Sequence, residues 1–168
     1  MTLIELALAS SVVVIAILGA LGAVTSSSDL TSSTRETTTA LAAAQLMMER
    51  LHGTPCEEVW ARYNDLPLDD LDASGTSTGF AVEGLDARNG DADGLVGRIV
   101  LPCPAGPLSE LWVDPSLGMP RDLNADGVQD ADDRSGDYSV LPVRVLVEWR
   151  GRSGDRTIEL AGVLGVRR

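Results

Sequence analysis

The residues best suited to do chemistry lie between Asp122 and Asp133, where the sequence reads DLNADGVQDADD. Oxygen-bearing side chains alternate along its first half, a glycine follows, and further aspartates come after it. This pattern is typical of a calcium-binding loop, because Ca²⁺ prefers several oxygen ligands and the chain must turn sharply around the ion. The predicted ligands are the side chains of Asp122, Asn124, Asp126, Asp130 and Asp133 and the backbone carbonyl of Val128.

Two features bear on how firmly this loop would hold calcium. Asp133 stands where such loops usually carry Glu, and its shorter side chain makes bidentate closure and high affinity harder to reach. The crowded aspartates repel each other unless a cation compensates them. The sequence therefore predicts calcium as a cofactor, and the alternative is a solvated acidic turn.

A second stretch, from Asn89 to Gly94, begins in the same way as the calcium-like loop. Gly97 and Val100 then stand where further ligands are needed. We therefore predict a hairpin turn there and not a metal site.

The remaining reactive side chains do not form a catalytic set. His52 is the single histidine and falls at the predicted end of a helix, where a cation interacts favourably with the helix dipole. No nucleophile–base pair and no phosphate-binding glycine loop can be identified, so we do not expect an enzyme. Cys56 and Cys103 predict a disulfide if this part of the chain lies outside the cytoplasm. Two free thiols or half of a metal site are the alternatives.

The chain begins with a long apolar segment, and Leu6–Val24 contains no charged residue. As a helix this segment would extend roughly 28 Å at about 1.5 Å per residue, close to the roughly 30 Å thickness of a bilayer's hydrocarbon core. It is apolar on every side, so lipid or other protein must cover it. A chain of 168 residues with few aromatics could hardly do so alone.

Glu5 stands at the start of this apolar segment and is its one acidic residue. A carboxylate at membrane depth is costly and usually has a partner and a role. The amino group of Met1 lies one helical turn away and is one candidate partner. The amino group of a neighbouring chain is the other, and it would also fix the register between subunits.

The residues Met1, Thr2, Leu3, Ile4, Glu5 and Leu6, followed by an apolar helix, resemble the mature N-terminus of the type IV pilin superfamily. That superfamily comprises pilins, minor pilins and type II secretion pseudopilins. The resemblance implies processing by a prepilin peptidase and N-methylation of the new first residue, so we expect the numbering to be that of the processed chain. Many pilins carry a proline where this chain has Gly22, so a bend would depend on glycine.

The rest of the helix is expected to have two parts. Residues 25–39 are mostly Ser and Thr, which prefer caps and turns, so we expect the helix to be weakest between Gly19 and Ser33; one unbroken helix is the equal alternative. Farther on, apolar residues at helical spacing predict a stripe that packs on a sheet, with Leu46 left for contact with another subunit. The stripe consists of Leu30, Leu41, Ala44, Met48 and Leu51, with Met47 beside it. Gly53 and Pro55 predict the end of the helix.

The remainder, residues 54–168, predicts a globular β head. A short helix is expected over Cys56–Tyr63, then a loop from Asn64 to Thr78. Strands are expected over Phe80–Leu85, Val96–Leu101 and Glu110–Val113, and a terminal hairpin over 143–164. The fold class is thus α+β: a long N-terminal helix, hydrophobic over 1–24 and polar then amphipathic over 25–53, packed on an antiparallel sheet, as the pilin resemblance also implies.

The net charge of −12 makes nucleic acid an unlikely partner of the isolated subunit. Two hypotheses for function follow. The first is a structural subunit of a type IV pilus-like filament, held in the inner membrane with an assembly platform and then exported to the cell surface. A pilus subunit, a minor pilin and a secretion pseudopilin all fit this description. The second is a monomeric, membrane-anchored calcium-binding module.

Overall fold

The computed structural model describes residues 2–65, 78–152 and 154–165, and leaves the side chain of Leu6 undescribed. The antiparallel sheet has the strand order β1-β2-β3-β4. The coarse prediction of an α+β protein, with one long apolar helix and an antiparallel sheet, is confirmed. The elements in chain order are α1 (Leu3–Gly53), α2 (Cys56–Tyr63), β1 (Gly79–Phe80), β2 (Gly97–Val100), β3 (Val140–Gly151) and β4 (Gly154–Gly165).

Helix α1 is unbroken through the Ser/Thr-rich tract, so the continuous alternative is the one observed. Hydroxyl groups of the tract donate to carbonyl oxygens one turn back: Thr25 to Gly22 at 2.9 Å and Thr34 to Leu30 at 2.8 Å. Because these hydroxyls are satisfied within the helix, they do not compete for its backbone amides. The 51 residues extend roughly 76 Å at about 1.5 Å per residue.

The second half of α1 packs on β3 and β4, but the buried stripe is shorter than predicted. Ala44, Met48 and Leu51 are buried as expected. Leu30 is 70% exposed and Leu41 is 39% exposed, so their assignment to the stripe is wrong. The sheet reaches only the C-terminal part of the helix, where Ala40 is the first fully buried apolar residue.

The β3–β4 hairpin also fixes the head to the middle of α1 through polar groups. Arg152, at the hairpin turn, pairs with Asp29 at 2.8 Å. The indole nitrogen of Trp149 donates to the Glu36 carboxylate at 3.4 Å. These contacts lie beyond the apolar stripe, so they extend the region of α1 that the head holds.

The strands differ in length from the predictions. The terminal hairpin is longer than expected, with twelve residues in each strand and Val145 opposite Leu160. Alternating residues of its first strand are buried: Val143, Val145, Val147 and Trp149. β1 and β2 are shorter than expected, and residues 110–113 form turns and not a strand. The predicted loop from Asn64 to Thr78 lies mostly outside the described residues.

The predicted disulfide between Cys56 and Cys103 is absent, and both residues are buried thiols. Cys56 begins α2, whereas Cys103 lies in the turn after β2 with a φ of 52°. The sulfur of Cys103 accepts the amide of Ser109 at 3.3 Å. Burial raises the pKa of both thiols, which keeps them protonated and unreactive at neutral pH.

Tyr138 ties the short helix α2 to the rest of the head. Its hydroxyl donates to the carbonyl oxygen of Cys56 and accepts the amide of Trp60 at 3.1 Å. Burial, the largest cause, raises the pKa of Tyr138 to about 12. The tyrosine therefore serves as an internal cap for both a donor and an acceptor at the start of α2.

We predict that Tyr138→Phe lowers the free energy of unfolding by about 1–3 kcal/mol, because the buried Trp60 amide and the Cys56 carbonyl lose their partner. Urea denaturation at pH 7 measures this change. Tyr63→Phe, which also removes a hydroxyl from a buried tyrosine, is the control and should change stability much less.

Comparing the wild type with Tyr138→Phe as a function of pH gives a second test. Folded Tyr138 retains its proton up to about pH 12, whereas an unfolded tyrosine loses it near pH 10.0. The wild type should therefore lose stability as the pH rises from about 10 to 12. Tyr138→Phe should lose less over that range, and an equal loss would contradict the assignment.

Candidate functional site

The first half of α1 extends from the head with its apolar side chains exposed. Leu3 is 86% exposed and Ile15 is 69% exposed, and the most apolar window of the helix has no buried residue. By length and composition α1 can cross a membrane. Within the part of the chain that the structure describes, no other segment covers this surface.

Glu5 lies in the first turn of α1, and its side chain turns back to the start of the helix. Its carboxylate accepts the backbone amide of Thr2 at 3.3 Å, so it caps one of the free amides at the N-terminus of the helix. Among the described residues it forms no ion pair. Met1, the other residue predicted to act in assembly, lies outside the described residues.

The calcium-like loop is closed by its own side chains. The Asp122 carboxylate accepts the amides of Ala125 and Gly127, at 2.6 and 2.8 Å. The backbone needs left-handed conformations to turn here, with φ of 62° at Ala125 and 87° at Gly127. Glycine at position 127 adopts this conformation without a steric cost, as the motif predicts.

Asn124 and Asp126 lie together in the turn. The Asn124 side chain donates to Asp126 at 2.9 Å, and the other oxygen of Asp126 accepts the amide of Val128 at 2.8 Å. These hydrogen bonds, led by that from Asn124, lower the pKa of Asp126. Its carboxylate is therefore ionised at neutral pH and available to a cation.

Glu110 organises the loop from beneath, and the sequence reasoning missed it. Its side chain is fully buried, and its carboxylate accepts the amides of Leu123 at 2.6 Å, Asn124 at 3.3 Å and Asp130 at 3.2 Å. A buried carboxylate with three amide donors is well compensated. The sequence offers one weak signal, an acidic residue at the start of the predicted strand Glu110–Val113.

Arg134 is the second residue that the motif did not predict. Its guanidinium pairs with Asp130, lies 3.9 Å from Asp126, and pairs with Asp137 at 3.2 Å. Its side chain is only 13% exposed. The acidic loop therefore has a positively charged group of its own chain against two of its aspartates.

The predicted ligands fit calcium in their chemistry, but they are not gathered as a set. Among residues 2–65, 78–152 and 154–165, no group of three or more acidic, His or Cys side chains is arranged to hold a metal. Asp126 and Asp130 share Arg134, whereas Asp133 accepts the amides of Leu108 and Ser135. Asp122, Asn124 and Asp126 are also joined to the loop itself, and the carbonyl of Val128 lies in an exposed part of the loop.

The second acidic stretch forms turns, as the sequence predicts. Gly90 and Gly94 have φ of 86° and 68°, and Asp93 accepts the amide of Leu95 at 2.9 Å. That hydrogen bond is the main reason that the pKa of Asp93 is lowered. The stretch lies between β1 and β2, which pair antiparallel.

Comparison with protein families, curated proteins and solved structures gives no match to this chain. The resemblance to type IV pilins therefore depends on the residues at the N-terminus and on the order of the elements.

We predict that Glu110→Gln lowers the free energy of unfolding by about 1–3 kcal/mol, because the amide group cannot accept all three backbone donors. Glu83→Gln, which changes an exposed glutamate, is the control and should be nearly neutral. Urea denaturation of both variants measures the difference. Equal stability of the two would contradict the organising role of Glu110.

Proposed function

We propose that this protein is a structural subunit of a type IV pilus-like extracellular filament. The observation that carries the proposal is the exposed apolar first half of α1, which begins with the carboxylate of Glu5. The helix is joined to a head that covers only its C-terminal part. In such a filament the exposed halves of α1 would pack together in the core and the heads would form the surface.

The shape of the subunit supports this arrangement. Contacts from the head reach back along α1 to Asp29 and Glu36, which leaves the residues before them as a projecting stalk. An unbroken α1 keeps the stalk in line with the helix that carries the head. Neighbouring stalks could then pack side by side without moving the heads.

Glu5 makes the assembled state more favourable than the helix alone in lipid. Moving an apolar helix from lipid into a helix bundle gains little hydrophobic energy, because lipid tails are as apolar as leucine. A carboxylate in lipid is costly, and pairing with the Met1 amine of a neighbouring chain would offset that cost only in the assembled state. Glu5 must leave the amide of Thr2, or share it, when that pair forms.

The partners and locations follow from the resemblance. They are a prepilin peptidase, an assembly platform, the inner membrane before assembly and the cell surface after it. A type II secretion pseudopilin or minor pilin shares the same N-terminus and is the first alternative. A monomeric membrane-anchored calcium-binding module is the second. N-methylation of Met1, read by mass spectrometry, separates the filament class from the monomeric module.

We predict that Glu5→Ala leaves the protein in the membrane but prevents or strongly slows filament growth, because the partner for the neighbouring amine is lost. Electron microscopy and immunoblotting of sheared surface material measure the filaments, and membrane fractionation measures the subunit. Glu49→Ala, at an exposed position of the same helix, is the control and should allow filaments to form. Normal filaments from Glu5→Ala would refute the pairing.

The acidic loop supports calcium as a cofactor of the head. Asp122, Asn124, Asp126, Asp130 and Asp133 supply oxygen donors, Val128 supplies a carbonyl, and Gly127 makes the turn that the motif requires. Calcium would compensate the aspartates and hold the loop next to β3. The backbone of Leu123 already accepts the amides of Ser139 and Val140 there, at 2.8 and 2.9 Å.

We predict that a calcium chelator lowers the Tm of the full chain in detergent, and that Asp126→Ala removes this sensitivity. Bound calcium stabilises the folded state by RT ln(1 + c/Kd), where c is the concentration of the free ion, so removing the free ion lowers the Tm. Asp132→Ala, an exposed aspartate of the loop that the motif does not use as a ligand, is the control and should keep the sensitivity. An unchanged melting curve of the wild type with chelator would refute calcium binding.

A further inference from the structure

The acidic loop contains a cation of its own chain in the position where the proposed calcium site needs positive charge. Asp126 and Asp130 are both predicted ligands, and the same guanidinium nitrogen of Arg134 lies beside each of them. In the described part of the chain, every ion pair of the loop aspartates is made with Arg134.

Arg134 is also held in place from outside the loop. Its other guanidinium nitrogen donates to Asp137 at 3.2 Å, and the side chain is nearly buried. A guanidinium held through one terminal nitrogen by Asp137 loses less further entropy in pairing with the loop than a mobile surface arginine does. The fold of the head therefore positions the Arg134 guanidinium beside Asp126 and Asp130.

A guanidinium and a calcium ion cannot both use these carboxylates well. Both need the same oxygen lone pairs, and two cations within about 4 Å repel each other strongly in a partly buried setting. Calcium could bind only if Arg134 moved away from Asp126 and Asp130. The energy of the lost ion pairs would then be subtracted from the binding of the ion.

We infer that Arg134 is the built-in cation of the acidic loop: it keeps the loop folded without metal and competes with calcium for Asp126 and Asp130. The second half of this inference rests on the proposed calcium site. It makes Arg134 the residue that sets calcium affinity. The loop would then respond to calcium at higher concentrations than its ligand set alone implies.

The test compares the wild type with Arg134→Met in the full chain in detergent, in EGTA and in calcium chloride. Arg134→Met keeps much of the side-chain volume and removes the charge. In EGTA its Tm should fall by about 5 °C relative to the wild type, because the aspartates lose their compensation. Its calcium affinity, measured by isothermal titration calorimetry, should be at least about tenfold tighter than that of the wild type.

Two further variants are the controls. Arg62→Met removes a partly exposed arginine that pairs with Glu58 on α2, so it should leave calcium affinity unchanged. Arg134→Lys keeps the positive charge, so it should be more stable in EGTA than Arg134→Met and bind calcium less tightly. If Arg134→Met folds only with calcium, that result supports the inference. Arg134→Lys then still allows calcium affinity to be compared with the wild type.

The outcomes separate the inference from the proposed calcium site. If Arg134→Met is as stable in EGTA as Arg62→Met, or binds calcium no more tightly than a calcium-binding wild type, the inference is overturned. If neither protein binds calcium while Arg134→Met is destabilised, the calcium site is refuted. That result supports Arg134 as the only cation that the loop uses.

Discussion

Within the described residues, nothing covers the apolar half of α1, and the proposed assembly follows from this exposure. The head packs only against the C-terminal part of the helix, and its farthest contact is the ion pair between Arg152 and Asp29. Exposed Leu, Ile and Val side chains before that point would be unfavourable in water. This surface would therefore be more stable in lipid or beside other protein than in water.

The head is stabilised in a different way, because it has few aromatic residues with which to build a hydrophobic core. Its hydrophobic core lies between α1 and β3 and also includes apolar residues of α2 and of the loops, such as Trp60 and Leu123, and buried polar groups add to the hold on these segments. Tyr138 caps α2, Glu110 binds three amides of the acidic loop, and Arg134 compensates its aspartates. Such groups stabilise irregular segments only when every partner is present, which makes them sensitive to single substitutions.

The sequence predicted the regular elements better than the residues that organise the loops. Helical spacing marked Ala44, Met48 and Leu51, and alternation marked the terminal hairpin, because both patterns are local. Glu110 and Arg134 were missed, since their roles depend on partners brought close by the fold. The disulfide was expected from compartment alone, whereas the structure has two buried free thiols. Local hydroxyl bonding also kept α1 whole where propensity favoured a break.

The acidic loop and the N-terminus both contain carboxylates whose charge must be compensated, and they differ in where the compensating group comes from. In the loop, the compensating cation is supplied by the same chain and also pairs with Asp137, so the charges of Asp126 and Asp130 are compensated within the head. At the N-terminus, Glu5 accepts the Thr2 amide and forms no ion pair among the described residues, which do not include Met1. A charge balanced within the chain favours an independent head, whereas a charge left unbalanced on an apolar helix favours association. This contrast is the physical reason behind the proposal that the apolar half of α1 packs in lipid or against other protein, whereas the acidic loop is held by contacts within the head.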